Sequence, residues 1–199
     1  NTVTIVRGSA IQANESAQFG GGVCIVGAPD RPILFEDSII TDNVVHVPSG
    51  LPRASRTGWS GEIGHGGGLY LSGGPLHLKG TDVLENLAQG AGGGIFASCG
   101  RILLEGNPDG VELTGRIAGN RALRGGGILL SGGKAGAEVT ALRAQAIEFI
   151  GNEAKESGGA VAAFRLAYVE LHDCLVKQNT ASGEYGEGGG VHVTLGCRA

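Results

Sequence analysis

Catalysis and metal binding need acids, bases, nucleophiles or ligands held close together, and this chain carries few of them in any such grouping. It has six aspartates, Asp30, Asp37, Asp42, Asp82, Asp109 and Asp173, and no two are adjacent. Glycoside hydrolysis needs two carboxyl groups facing each other roughly 5–9.5 Å apart across the scissile bond. Acids so dispersed predict no catalytic residue. The four cysteines, Cys24, Cys99, Cys174 and Cys197, form no CxxC pair and are too few for a disulfide scaffold. His172, Cys174, His192 and Cys197 fall close together near the C-terminus, but their spacing matches no standard zinc pattern. Pairing of Cys174 with Cys197 stays open. The expectation is therefore no cofactor, no metal and no enzyme activity carried by these residues.

One stretch has the composition of a recognition loop. Val44 to His65 holds the only tryptophan, Trp59, together with Arg53, Arg56, Pro48 and Pro52. Binding residues concentrate on loops of rigid scaffolds, and Trp with Arg dominates interface hot spots. Arg53, Arg56 and Trp59 are the candidate partner-binding residues; an insertion tolerated because loop closure is cheap is the alternative. Net charge of −4 has the wrong sign for a nucleic-acid surface. No run of 18 apolar residues occurs, so no helical transmembrane segment is expected.

The elements that hold these residues repeat. Glycine supplies 39 of 199 positions, far above the roughly 7% of average proteins. Small-residue triplets recur at 20–22, 66–68, 92–94, 125–127, 158–160 and 188–190, each followed by a short apolar run. An asparagine precedes each triplet: Asn14, Asn43, Asn86, Asn120, Asn152 and Asn179. Three residues before every one of these stands a large apolar side chain: Ile11, Ile40, Val83, Ile117, Phe149 and Val176. Segments 33–43, 76–86 and 169–179 align without a gap, and 142–152 joins them with Ala144 at one apolar place.

The apolar residues alternate in twos, the period of a strand. Strands this short cannot bury a face alone, but stacked copies can, with hydrogen bonds running between successive coils. Six coils at about 4.8 Å make a rod roughly 29 Å long. The first two glycines of each triplet are expected at positive φ or where neighbouring backbones approach. The third position needs only smallness, since Ala160 fills it in the fifth repeat. The asparagines are expected to turn inward and stack as a structural ladder, each amide donating to one coil and accepting from the next. Surface turn asparagines are the alternative. Glu36, Lys79 and His172 share an outward place and read as a solvated face.

Phe149-Ile150-Gly151-Asn152 followed by Gly158-Gly159-Ala160-Val161 resembles the FxxN and GGA[ILV] motifs of the polymorphic outer membrane protein repeats, known from chlamydial autotransporter adhesin passengers. The other repeats match a relaxed form. The resemblance implies an all-β, right-handed parallel β-helix of the pectin-lyase-like kind, secreted or on a cell surface. Many such helices act on polysaccharides. Gly64-His65-Gly66 resembles the GHG of polygalacturonases and Thr41-Asp42-Asn43 their NTD element, without their DD and RIK companions.

The sequence therefore reads as one β-helix domain, 1–199, of about six coils, with a long loop insertion at 44–65. It is expected to be a segment of a longer solenoid. The expected role is non-enzymatic: a rigid structural or adhesive scaffold presenting loops to a protein or glycan partner, or packing against further coils or subunits outside the cell. The alternative is a polysaccharide lyase or hydrolase whose catalytic residues lie outside this segment.

Overall fold

The computed structural model describes residues 4–27, 32–48, 63–107, 115–132 and 139–194. Among them are 24 strands in four parallel sheets of six. Each coil contributes one strand to each sheet, so six coils close a four-sided parallel β-helix. In the third coil these strands are Pro75–Lys79, Asp82–Leu84, Leu87–Ala88 and Ile95–Ser98. We call the corresponding sheets A, B, C and D.

Register follows the sequence alignment residue for residue. Ile33 pairs with Leu76, and Leu142 with Val169, in sheet A. In sheet B the apolar residue three before each asparagine forms a continuous inward column from Ile11 through Ile40, Val83, Ile117 and Phe149 to Val176. Sheet D supplies another, Val23, Leu69, Ile95, Ile128, Val161 and Val191. Within the middle coils these side chains are completely buried. Each such side chain is worth about 1.5–3 kcal/mol of transfer out of water. The cross-section must hold a constant volume to stay in register. Phe149 accordingly shares its coil with Ala144, Ala160 and Ala163, all in the same apolar core.

The glycine triplet divides its tasks by position, and the third coil shows how. Gly92 has φ of +66°, a backbone shape that a side chain makes costly. Gly93 lies against the next coil, where a Cβ would come within 2.4 Å of the Gly126 carbonyl oxygen. At the third position Ala160 is fully buried and its N–H donates to the Gly190 carbonyl at 2.9 Å.

In a parallel in-register stack identical residues would lie over one another, so outward charges must alternate. On sheet A, Arg7, Glu36, Lys79 and Glu105 occupy one column. Arg7 and Lys79 both pair with Glu36, at 2.5 and 3.5 Å. The hydrogen bond from Arg7, reinforced by both cations, holds the Glu36 carboxyl below the usual carboxylate range. On sheet B the Arg116 guanidinium donates twice to Asp82, at 2.6 and 3.1 Å. The outward face is a solvated one, as its residue types imply, and it is also ordered by sign from coil to coil.

Candidate functional site

The six asparagines form one column along the corner between sheets B and C. Each Nδ2 donates to the Oδ1 of the asparagine in the following coil, at 2.9, 3.0, 3.0, 3.0 and 2.8 Å from Asn14 to Asn179. The same Oδ1 atoms accept the backbone N–H of the preceding asparagine. The second amide proton returns to the previous coil: Asn86 donates to the Ile40 carbonyl and Asn120 to that of Val83, both at 2.9 Å. Asn43, Asn86, Asn120 and Asn152 are buried, whereas Asn14 is exposed and Asn179 half-buried in the end coils. Every lone pair and proton of the central amides is thereby used. The column is structural and offers nothing to a ligand.

The residue before each asparagine adopts positive φ in all six coils: Ala13, Asp42, Glu85, Gly119, Gly151 and Gln178. That turn aims the amide inward. Only the two glycines signal it in the sequence; Ala13 and Glu85 give no hint.

His65, of the GHG triplet, is buried and structural. Its ring stacks on Phe96 at 4.5 Å with 9° between planes, and its Nδ1 accepts the Ala91 N–H at 3.1 Å. Burial first, and the Arg124 charge second, push its pKa down to about 4. A base this weak, already holding an amide, is poorly suited to proton transfer near neutral pH. Asp42, of the Thr41-Asp42-Asn43 element, is an exposed turn residue, and Asn43 belongs to the ladder.

His172 and His192 stand on different sheets, A and D. His172 pairs with Glu170 at 2.6 Å, and Glu170 also accepts from Tyr168 and Arg143. These contacts, His172 first and Tyr168 next, hold the Glu170 carboxyl below its usual range. The Cys174 thiol donates to backbone carbonyls of His172 and Ala144, and burial raises its pKa. No group of three metal-ligating side chains gathers among the described residues. Arg53, Arg56, Trp59 and Cys197 lie outside the described residues.

The corner between sheets C and D carries a groove that the sequence did not disclose. Its centre, about 620 Å3, is lined by Phe164, Tyr185, His192, Lys155, Arg124 and Glu187 among others. It continues into a second hollow of about 690 Å3 that shares Leu123, Lys155 and Glu156 and reaches Leu87 and Gln89. Together they run along the rod from coil two, where Val47 and Ile63 line the second hollow, to coil six. The 182–187 turn forms one lip. Gly186 N–H closes it on the Gly183 carbonyl at 2.9 Å. The N–H groups of Ser182, Gly183 and Glu187 tie it to carbonyls of Ala154, Lys155 and Glu156. Tyr185 is thus held at the tip of an anchored turn with 78% of its surface exposed. On the floor, the rings of Phe164 and His192 lie 5.4 Å apart. Around them Arg124 pairs with Glu156 at 2.6 Å, Arg121 with Glu153 at 3.9 Å and His192 with Glu187 at 3.6 Å.

Among the described residues no helix is long and apolar enough to cross a membrane. Comparison with known protein families, curated proteins and solved structures finds no match to the chain. The likeness to the polymorphic outer membrane protein repeats rests on the motifs themselves.

Proposed function

We propose that this parallel β-helix is a non-enzymatic module of a cell-surface or secreted protein. It acts as a stiff scaffold that presents loops to a protein or glycan partner, or packs within an extracellular assembly. The observation that carries this reading is how the polar side chains are used. The asparagine column and the sign-alternating outward pairs serve to keep coils in register, while one corner varies freely in length and bears exposed side chains. The FxxN and GGA[ILV] likeness to chlamydial autotransporter adhesin passengers, of the pectin-lyase-like kind, points the same way. A loop-bearing rod of this sort is suited to reach and grip rather than to turn over substrate.

The test has two arms. Fluorescently labelled protein is applied to fixed epithelial cells, and retention is read against concentration. In parallel it is incubated with pectin and alginate, with and without calcium, and reducing or unsaturated ends are counted. Saturable retention without cleavage supports the scaffold. Robust cleavage overturns it in favour of a polysaccharide lyase or hydrolase, and absence of retention removes the adhesive role.

A further inference from the structure

We propose that the hollow in coils five and six is a site for a trimethylammonium cation of the choline class. Tyr185, Phe164 and His192 receive the cation, and Lys155 takes the phosphate when the ligand is a phosphocholine ester. The site stands whether or not the rod is adhesive, so its failure and the failure of the scaffold reading are separate results.

The aromatic part comes from two strands and a turn. Phe164 ends the strand Val161–Phe164, and His192 projects from Val191–Thr194 in the following coil. Directly across from His192 stands Ala162, whose small side chain leaves the imidazole room to lean toward Phe164. The two rings lie 5.4 Å apart at 41° to one another, a wedge rather than a stack, and both line the hollow. Tyr185 lines it from the 182–187 turn, whose N–H groups are bonded to carbonyls of coil five. A ring already held in place loses little freedom when a ligand meets it.

The charges select the sign of the ligand. Of the residues lining this hollow, Arg124 and Glu156 pair at 2.6 Å and offset one another. Glu184, Glu187 and Lys155 remain, two carboxylates against one ammonium. Lys155 forms no ion pair among the described residues. The Glu187 N–H donates to the Glu156 carbonyl, which holds its carboxylate 3.6 Å from His192 Nδ1. A cation is thereby favoured beside the rings, and a lone anion is not. Aromatic faces add to this, since a cation within about 6 Å of a ring centroid is drawn to its negative face.

The type of cation follows from hydration. A primary ammonium is a compact, strongly hydrated charge with three donors to satisfy, and ring faces replace that water poorly. A trimethylammonium has no N–H to satisfy, and its methyl groups pack against rings while its charge stays close to them. Lys155 then has a use. Choline esters carry a phosphate across a short ethylene bridge from the nitrogen, and the flexible lysine stem can bring its ammonium to that phosphate.

The test titrates the protein with choline, phosphocholine and the neutral carbon isostere of choline, neopentyl carbinol, followed by NMR. Phosphocholine should bind with a dissociation constant on the order of 1 mM or tighter. The isostere should bind about tenfold more weakly than choline, because it has the shape without the charge. Tyr185→Ala should weaken choline about tenfold at unchanged melting temperature, since the ring is exposed, whereas Tyr185→Phe should bind as the wild type does. Lys155→Gln should weaken phosphocholine about fivefold and leave choline unchanged. A second arm floats the protein with phosphatidylcholine or phosphatidylglycerol vesicles. Flotation with phosphatidylcholine alone, reversed by free phosphocholine, supports the site with a lipid headgroup as its source. Binding of free phosphocholine without flotation supports it with a soluble or polymer-borne ester. The proposal is overturned if neither choline nor phosphocholine binds at millimolar concentration, if the isostere binds as tightly as choline, or if Tyr185→Ala changes neither affinity. Equal weakening of choline and phosphocholine by Lys155→Gln overturns the role given to Lys155.

Discussion

Between its second and third strands every coil has two residues, a positive-φ residue and an asparagine; between its third and fourth strands the same coils have from three residues to 23. The two corners sit on the same rod, one joining sheet B to sheet C and the other sheet C to sheet D. What separates them is buried polarity. At the first corner one amide closes bonds to the coil above and the coil below, so a single inserted residue would orphan partners in three coils. At the second corner the glycine triplets and His65 keep their own bonds to the neighbouring coil, and the residues by which the longer connections exceed the short ones precede them in the chain. Loop-closure entropy then grows only slowly with length. Variation in length falls ahead of the bonded triplets, where no ladder amide depends on spacing, and the groove lies on that side of the rod.

The sharpest way to break this contrast is insertion. One alanine placed between Glu85 and Asn86 should lower stability by about 5 kcal/mol, the whole margin of a small domain. Two glycines placed between Gly183 and Glu184 should cost about 1 kcal/mol or less. Urea unfolding followed by circular dichroism reads both, and equal losses would erase the distinction. Next, Asn120→Ala removes the acceptor for the Asn86 amides and the donor to Val83 and Asn152. Each buried group left unpaired costs about 1–3 kcal/mol, so a loss of about 3–5 kcal/mol is expected. Asn14→Ala, at the exposed end, should cost under about 1 kcal/mol. Parity between the two substitutions would show that the column does not stabilise through burial.

Glycines at the two kinds of position give a finer comparison. Gly93→Ala forces a methyl against the Gly126 carbonyl of the next coil and should cost about 2–3 kcal/mol. Gly151 has φ of +61° but open space where a Cβ would stand, so Gly151→Ala should cost about 1 kcal/mol from backbone strain alone. The smallest effect concerns pH. The folded protein resists protonating His65 until about pH 4, while the unfolded chain takes that proton near 6.5. Stability contributed by neutral His65 is therefore present above 6.5 and declines as pH falls toward 4. About 1 kcal/mol should go between pH 6.5 and 5.5. His65→Gln, which keeps a neutral acceptor for Ala91, should flatten that part of the curve; an unchanged slope would assign it to other groups.

Much of the architecture was legible because a stacked repeat writes its core into the sequence at constant offsets. The apolar residue, the asparagine and the glycine triplet each recur because each touches its own copy in the next coil. The third strand was not legible. Stretches such as Glu15–Ser16, Leu87–Ala88 and Thr180–Ala181 are two residues long, too short to show a strand's alternation, although their second residues belong to a mostly small inward column with Val45, Ala122 and Ala154. The groove escaped for a different reason. Tyr185, Phe164 and Lys155 come from separate strands and turns and come together only through register, whereas the tryptophan-bearing insertion stands out by composition alone. In the fourth strands His192 stands over Ala162, Leu129 and Phe96, and those three are buried in a second apolar cluster, so this column gives no alternation that would mark the groove.

The alternating charges on sheets A and B have an evolutionary consequence. Copying a single winding would bring Glu36 over Glu36 or Lys79 over Lys79, repulsions of the kind that destabilise directly opposed strand pairs. Copying two adjacent windings as a block preserves the plus-minus order. Gene duplication should therefore lengthen a rod of this design more readily in even steps, with lone additions followed by a compensating charge swap.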